Sequence, residues 1–150
     1  MSYLINLAQA AKTNQYFRQV LHTGAKSQLV IMNLPVGEDI GEETHDHVEQ
    51  VLYFQSGTGK TIIEGQESAL KPGDVLVVSP KAKHNIINTG NEPLIIATVY
   101  VPPNHIDGTV HRTRPMQPQT IKMKLSGNRL KNHHIVYLLK HQPDGAGVCG

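Results

Sequence analysis

Short apolar runs, rich in valine, isoleucine, leucine and tyrosine, alternate with turn residues between Phe17 and Val101. Runs of strand length that turns separate about every 8–12 residues are typical of β-sandwiches and β-barrels. The runs predict strands at 17–23, 28–34, 50–55, 60–64, 67–70, 75–78, 84–88 and 94–101. Only residues 4–12 show helical character. The sequence therefore predicts an all-β fold with a short N-terminal helix.

The residues between these runs favour tight turns. Segment 64–66 (Glu-Gly-Gln) predicts a hairpin, and segment 71–74 (Lys-Pro-Gly-Asp) has proline and glycine where a type II turn prefers them. Segment 88–91 (Asn-Thr-Gly-Asn) predicts a further turn. The turn chemistry therefore agrees with the strand pattern.

The character of the chain changes after Val101, where prolines interrupt the apolar pattern. We expect a core domain over residues 1–111 and a basic C-terminal extension over 112–150. Residues 1–111 carry seven Lys and Arg against eleven Asp and Glu, whereas the extension carries seven against Asp144 alone. Apolar runs at 120–125 and 134–140 make the extension either an added hairpin or a disordered tail.

Cysteine content, hydropathy and charge limit the cellular location and the kinds of partner that this chain can have. The single cysteine, Cys149, lies one residue from the C-terminus and cannot form an internal disulfide, which predicts a reducing, cytoplasmic location. We expect no secretory leader and no membrane contact, because no stretch approaches the roughly 20 apolar residues of a membrane helix. Acidic residues between Glu38 and Glu49 would repel a phosphate backbone, so we expect no nucleic-acid partner.

Four side chains able to bind a metal ion lie in two segments of the core. Glu43 and His45 are two residues apart, so on a strand they share a face, and Gln50 can return on the next strand. His84 begins another apolar run and is the natural fourth ligand. These side chains predict a site for one divalent ion.

The glycine spacing around these residues resembles the two sequence motifs of the cupin superfamily, over about residues 17–111. The first cupin motif frames a His-X-His pair and a Glu between two glycines, and the second places a His and an Asn after a glycine. Without a gap, Gly37 and Gly57 frame the first motif, with Glu43 and Gln50 in place of the first His and the Glu. Gly73, His84 and Asn88 match the second motif. The resemblance implies a double-stranded β-helix, or jelly-roll, barrel with a metal site in its mouth.

This chain departs from the cupin pattern in two places. The ligand set is Glu43, His45, Gln50 and His84 instead of three histidines and a glutamate, and Lys81 stands where the second motif has a glycine. A gapped alignment would instead use His45 and His47 as the pair, followed by Gln50 or Glu49. We favour the ungapped form, which keeps both glycine frames intact and leaves His47 as the alternative ligand.

The resemblance implies function only in outline. One Glu, one Gln and two His suit zinc, manganese, iron or nickel, and the set is similar to that of zinc-dependent phosphomannose isomerases. The leading hypothesis is a metal-binding cupin that binds a small polar molecule, such as a sugar or sugar phosphate, with possible isomerase activity resembling that of mannose-6-phosphate isomerase-like proteins. The alternatives are a non-catalytic metabolite-binding barrel and a metal-dependent dioxygenase. Fold analogy suggests a homodimer through an edge strand.

Several further residues of the core could surround this site. Tyr53, Tyr100 and Asn88 are candidates for lining the pocket, although strand tyrosines more often pack beside a core. His105 and His111 follow the last long strand and could cross the barrel mouth. The extension has three further histidines, for which we expect no more than adventitious metal binding: His133, His134 and His141.

Overall fold

The structure, a computed structural model, describes residues 2–115, and each of the eight strands predicted from the apolar runs is present there within one residue of its predicted bounds. A ninth, two-residue strand was not predicted. The elements are α1 Leu7–Thr13, β1 Arg18–Thr23, β2 Gln28–Leu34, β3 Glu49–Ser56, β4 Gly59–Ile63, β5 Gln66–Leu70, β6 Val75–Val78, β7 His84–Asn88, β8 Leu94–Val101 and β9 Val110–His111.

These strands form two antiparallel sheets. Six strands follow the order β6-β3-β8-β2-β1-β9, and three follow the order β5-β4-β7. The expected jelly-roll architecture is therefore present, but within residues 2–115 the hydrogen-bonded sheets do not close into one continuous barrel. The segment before β3 adds two isolated bridges to β7, from Asp39 to Ile87 and from Glu43 to His84.

One hydrophobic core joins the two sheets. Alternate residues of β3 and β7 are buried, as expected for strands with one face toward a core. Leu52 and Phe54 of the large sheet and Ile86 of the small sheet belong to the same buried cluster. The two sheets therefore pack face to face, and one end of this packed interior holds the polar residues described below.

Helix α1 covers the outer face of the large sheet. Asn6 caps the helix by accepting a hydrogen bond from the Gln9 backbone N–H. Ala11 packs with Ile31 of β2 and Ala97 of β8 in a second apolar cluster. Because this cluster lies on the other face of the sheet, α1 stabilises the strands without reaching the polar end of the core. No helix among residues 2–115 is long and apolar enough to cross a membrane.

The glycines that frame the sequence motifs have a conformational reason. Gly37, Gly57 and Gly73 all have positive φ, which glycine adopts at little cost. At Gly57 the neighbouring backbone also leaves no room, since a Cβ there would lie 2.5 Å from the Pro93 carbonyl oxygen. Lys81, which replaces a motif glycine, keeps that conformation with φ of 70°.

The C-terminal part of the predicted domain contributes strand β9. Val110 and His111 pair with Gln19 and Arg18 of β1, so the compact unit that begins at the N-terminus extends through Pro115. The predicted hairpin or tail at 120–140 and the three histidines of the extension lie outside the described residues. The boundary at residue 111 stays a prediction.

Candidate metal centre

Two segments meet through backbone hydrogen bonds and position the candidate ligands. The Glu43 N–H donates to the His84 carbonyl at 2.8 Å, and the His84 N–H donates to the Glu43 carbonyl at 2.9 Å. The Lys81 N–H donates to the His45 carbonyl at 2.7 Å. Glu43 and His45 therefore lie in a bridged loop, and the expectation that they share a regular strand is wrong. The bridge to β7 supplies the alignment instead.

Glu43, His45 and His84 come together as the sequence predicted. One ligand atom from each lies within 4.8 Å of the others. Glu43 Oε2 is 3.4 Å from His45 Nε2 and 4.0 Å from His84 Nε2. Donor atoms bound to a single ion at about 2.0–2.2 Å lie up to about 4.4 Å apart, so a small movement of these side chains would enclose a metal ion.

The imidazoles are oriented for coordination. His84 is 1% exposed, and its Nδ1 lies 3.0 Å from the Ala82 carbonyl oxygen. That carbonyl can accept only from a protonated Nδ1, which leaves the Nε2 lone pair free. Nε2 of His84 and Nε2 of His45 are both buried, and neither has a hydrogen-bond partner among residues 2–115. Buried polar atoms rarely stay unpaired, so these two nitrogens fit metal ligands.

Gln50 offers a fourth donor from β3. Its side chain is 1% exposed, and its Nε2 donates to Thr98 Oγ1 at 3.1 Å. Its Oε1 is buried and has no hydrogen-bond partner in the part of the chain that the structure describes. Gln50 lies opposite Tyr100 in the sheet, and the Tyr100 ring is 6.1 Å from the His45 ring. Gln50 is therefore beside Tyr100, whose ring faces His45, and its role as fourth ligand stays a prediction.

Arg18 is a site residue that sequence reasoning missed. It is the first residue of β1, only 5% exposed, and its Nη2 lies 3.5 Å from Glu43 Oε1. Burial alone would raise the pKa of Glu43, but the closeness of His45 and the Arg18 guanidinium outweigh it and hold that pKa below its ordinary value. Glu43 is therefore an anion, as a ligand must be. The available sequence signal was a charged residue directly after Phe17 in a predicted strand.

Tyr100 lies next to the ligand His45, and His105 lies next to Tyr100. The Tyr100 ring packs edge-on against His105 at 4.8 Å, and burial raises the pKa of its phenol, so the hydroxyl stays protonated. Burial, helped by Arg18, lowers the pKa of His105 to about 4, so this imidazole is neutral near pH 7. Gln28 fixes the His105 loop, because its Oε1 accepts from the His105 N–H at 2.9 Å and its Nε2 donates to the His105 carbonyl at 2.8 Å.

Several candidates lie elsewhere. The alternative ligand His47 is exposed and outside the clustered group, as is Glu49. Tyr53 is 42% exposed on the outer face of the sheet. Asn88 is buried, but its amide donates to the Leu34 and Glu92 carbonyls, so it holds a turn.

Comparison with known proteins identifies the fold family. A family model described as a cupin domain matches residues 30–101. The YrkC protein of Bacillus subtilis strain 168, described as uncharacterized, is 39% identical over 118 residues, which cover 75% of this chain but only 63% of YrkC. The chain therefore spans less than two thirds of that relative's length.

Solved structures agree with the family model. The crystal structure of BH2720 from Bacillus halodurans superposes with a TM-score of 0.75 at 33% identity, covering 76% of this chain and 91% of that one. A predicted oxalate decarboxylase from Thermotoga maritima has a TM-score of 0.50 at 29% identity, covering 52% and 69%. The match to the cupin domain model, together with the two packed antiparallel sheets, assigns this chain to the cupin superfamily.

Proposed function

We propose that this cupin binds one divalent metal ion through Glu43, His45 and His84, with Gln50 as fourth ligand, and uses it to bind a small polar molecule. The observation that carries the proposal is the pair of buried Nε2 atoms of His45 and His84, which lie beside the Glu43 carboxylate and have no hydrogen-bond partner among the residues that the structure describes. An apolar cluster alone would not need such groups, and their burial without partners would be costly. A bound ion removes that cost.

The bound ion would supply Lewis acidity toward a carbonyl or hydroxyl oxygen of the ligand. The chain's own residues hold the ligand's surroundings in place. Arg18 keeps Glu43 charged, and the Gln28 amide keeps His105 over Tyr100. Tyr100 retains its proton and can donate a hydrogen bond. The site therefore supports binding and orientation of a polar ligand, and turnover is a further step.

The finer functional hypotheses rest on resemblance. A sugar or sugar phosphate ligand and an isomerase activity follow only from the ligand set, and a dioxygenase or a non-catalytic barrel would use the same residues. The structural neighbour from Thermotoga maritima is described as a predicted oxalate decarboxylase, which adds a small carboxylate to the ligands worth testing. Each of these hypotheses includes a bound metal ion, except the version of the non-catalytic barrel that lacks one.

Titration calorimetry with zinc, manganese and nickel on the untagged protein tests the metal proposal. We expect one ion per chain, and we expect His45→Ala and His84→Ala each to weaken binding by about 100-fold or more, since even outer-shell partners contribute 10–100-fold. Affinity should also fall below about pH 6, because an imidazole must be neutral to coordinate.

His47→Ala is the matched control, since it removes an exposed histidine two residues from His45. We expect its affinity to stay within about threefold of wild type, a change of less than 1 kcal/mol. Equal losses in all three variants would favour the gapped alignment. Unchanged affinity in His84→Ala would contradict the proposed site.

A further inference from the structure

Arg18 is buried with its hydrogen-bonding capacity only partly used. Among the described residues it is the only buried arginine or lysine. Nη2 lies 3.5 Å from Glu43 Oε1, and Nη1 lies 3.4 Å from His111 Nδ1. The buried Nε has no hydrogen-bond partner within the described residues. Charge-assisted bonds are normally about 2.7–2.9 Å long, so neither contact is a tight one. A guanidinium has five N–H donors, so Arg18, with only these two long contacts, has N–H groups available for another acceptor.

The charge balance of the loaded site favours an anion. Glu43 contributes one negative charge and Arg18 one positive charge, while Gln50 and the phenol of Tyr100 are neutral. With neutral imidazoles, a divalent ion leaves an excess of two positive charges in a buried environment. Uncompensated buried charge is costly. A neutral ligand would leave this excess in place, whereas an anionic ligand would reduce it.

The surroundings of Arg18 add unpaired polar groups on the same side. His105 Nε2 is buried with no hydrogen-bond partner from residues 2–115, and the ring lies 4.8 Å from the Tyr100 ring. His111 is opposite Arg18 in the β1–β9 pairing. Both imidazoles can donate a hydrogen bond in one tautomer. Arg18, Tyr100, His105 and His111 therefore form a donor-rich wall beside the metal ligands.

We propose that the ligand of the metal centre carries an oxyanion, a carboxylate or a phosphate, and that Arg18 binds this group beside the ion. This inference rests on the proposed function, because it places the anion next to the bound metal. A planar guanidinium pairs with either group through two parallel hydrogen bonds. Arg18 is then a specificity-determining residue, which goes beyond its contact with Glu43.

The acidic residues of the surrounding loops do not prevent an anion from binding beside Arg18. Asp39 pairs with Arg114, and Glu42 pairs with Lys83 at 3.3 Å. The remaining acids of this segment are exposed to solvent: Glu38, Asp46 and Glu49. Water and salt screen exposed charges within about 10 Å, but screen a buried arginine much less. A small anion is therefore attracted once it reaches the interior.

Calorimetry of the zinc-loaded full chain with malonate, inorganic phosphate and neutral mannose tests the proposal. We expect one of the two anions to bind and mannose to bind at least about tenfold more weakly. Arg18→Gln should weaken the anion by about tenfold or more, since a hydrogen bond to a charged group is commonly worth that factor. Any change in zinc affinity, measured separately, should be smaller than the loss of anion affinity, because Arg18 acts on the ion only through Glu43. Malonate and phosphate separate the two oxyanion classes.

Arg114→Gln is the matched control, because it removes the same charge from an arginine that pairs with Asp39; we expect anion affinity to be unchanged. Arg18→Lys keeps the charge without the planar fork and should still lose about threefold or more. If both Arg18 variants unfold, the Arg18 Nε–H signal in NMR spectra of the wild type should shift when the anion is added.

The outcomes separate the two proposals. Zinc that fails to bind the wild type contradicts the proposed function. Normal zinc binding without binding of either anion at millimolar concentration overturns the oxyanion inference alone. Equal losses of zinc and anion affinity in Arg18→Gln would also overturn it, because Arg18 would then act only by holding Glu43.

Discussion

At the scale of single residues, two buried glutamines occupy equivalent places on either side of Tyr100. Gln28 of β2 and Gln50 of β3 are both opposite Tyr100 in β8. The Gln28 amide is fully paired with Thr23 Oγ1 and the 104–105 backbone. Gln50 uses only its nitrogen, toward Thr98. The same residue type therefore holds a loop at one position and presents a free oxygen at the other.

The variant Gln50→Glu tests whether the free oxygen of Gln50 is a metal ligand. A carboxylate is a stronger metal ligand than an amide, so we expect zinc to bind about tenfold more tightly. Without metal the buried charge should lower the free energy of unfolding by about 1–3 kcal/mol. Calorimetry and urea unfolding, each with and without zinc, measure both effects.

Gln28→Glu is the control for that experiment. It places a carboxylate where an amide nitrogen now donates to Thr23 and to the His105 carbonyl, so it should also lower the free energy of unfolding by about 1–3 kcal/mol. Zinc affinity should not increase. If Gln28→Glu bound zinc more tightly than wild type, or if Gln50→Glu did not, the assignment of Gln50 as a metal ligand would be contradicted.

At the scale of elements, the loop between β6 and β7 holds one ligand segment by its backbone. Lys81 adopts a left-handed conformation and donates its N–H to the His45 carbonyl. A non-glycine residue costs about 1–2 kcal/mol there. The loop therefore keeps the geometry that glycine has in the cupin motif, at the expense of some stability.

Lys81→Gly should increase the free energy of unfolding by about 0.5–1 kcal/mol, because relief of the strained conformation exceeds the greater chain entropy of glycine. Urea unfolding measures this, and zinc affinity should be unchanged. Lys71→Gly replaces an exposed turn lysine that does not have positive φ, so it should be destabilising by about 0.5–1 kcal/mol. A loss of stability in Lys81→Gly would contradict the strain argument.

At the scale of the whole molecule, the described unit contains both sheets, the core and the candidate metal centre. Its last strand, β9, pairs with the Arg18 end of β1. At the opposite edge of the large sheet, Val75 and Val77 of β6 are more than half exposed, so the predicted homodimer has an apolar edge strand available. The dimer itself stays a prediction.

A chain that ends after Arg114 should unfold cooperatively and bind zinc with the affinity of the full chain, because the described fold needs no later residue for the contacts named above. Circular dichroism during thermal unfolding and calorimetry measure this. Ending the chain after Pro103 is the contrasting variant: it removes β9 and the His105 loop and should lower the melting temperature. An unfolded 1–114 chain would show that the extension belongs to the core.

The sequence alone determined the strands, the turns and three of the clustered donors. Alternating burial and turn residues are local properties, so β2, β6, β7 and β8 could be read from short windows with their bounds correct. The glycine frames fixed the spacing of Glu43, His45 and His84. The prediction that Glu43 and His45 share a regular strand was wrong. An isolated bridge from Glu43 to His84 of β7 aligns them instead, and this is a long-range contact.

Only the tertiary structure decided which groups surround those donors. Because β8 lies between β2 and β3, Tyr100 has Gln28 on one side and Gln50 on the other, although these residues are far apart in sequence. The β1–β9 pairing likewise puts His111 beside Arg18, and packing puts Arg18 beside Glu43. Such neighbours depend on which strands pair over long distances, and no short window of sequence contains that information.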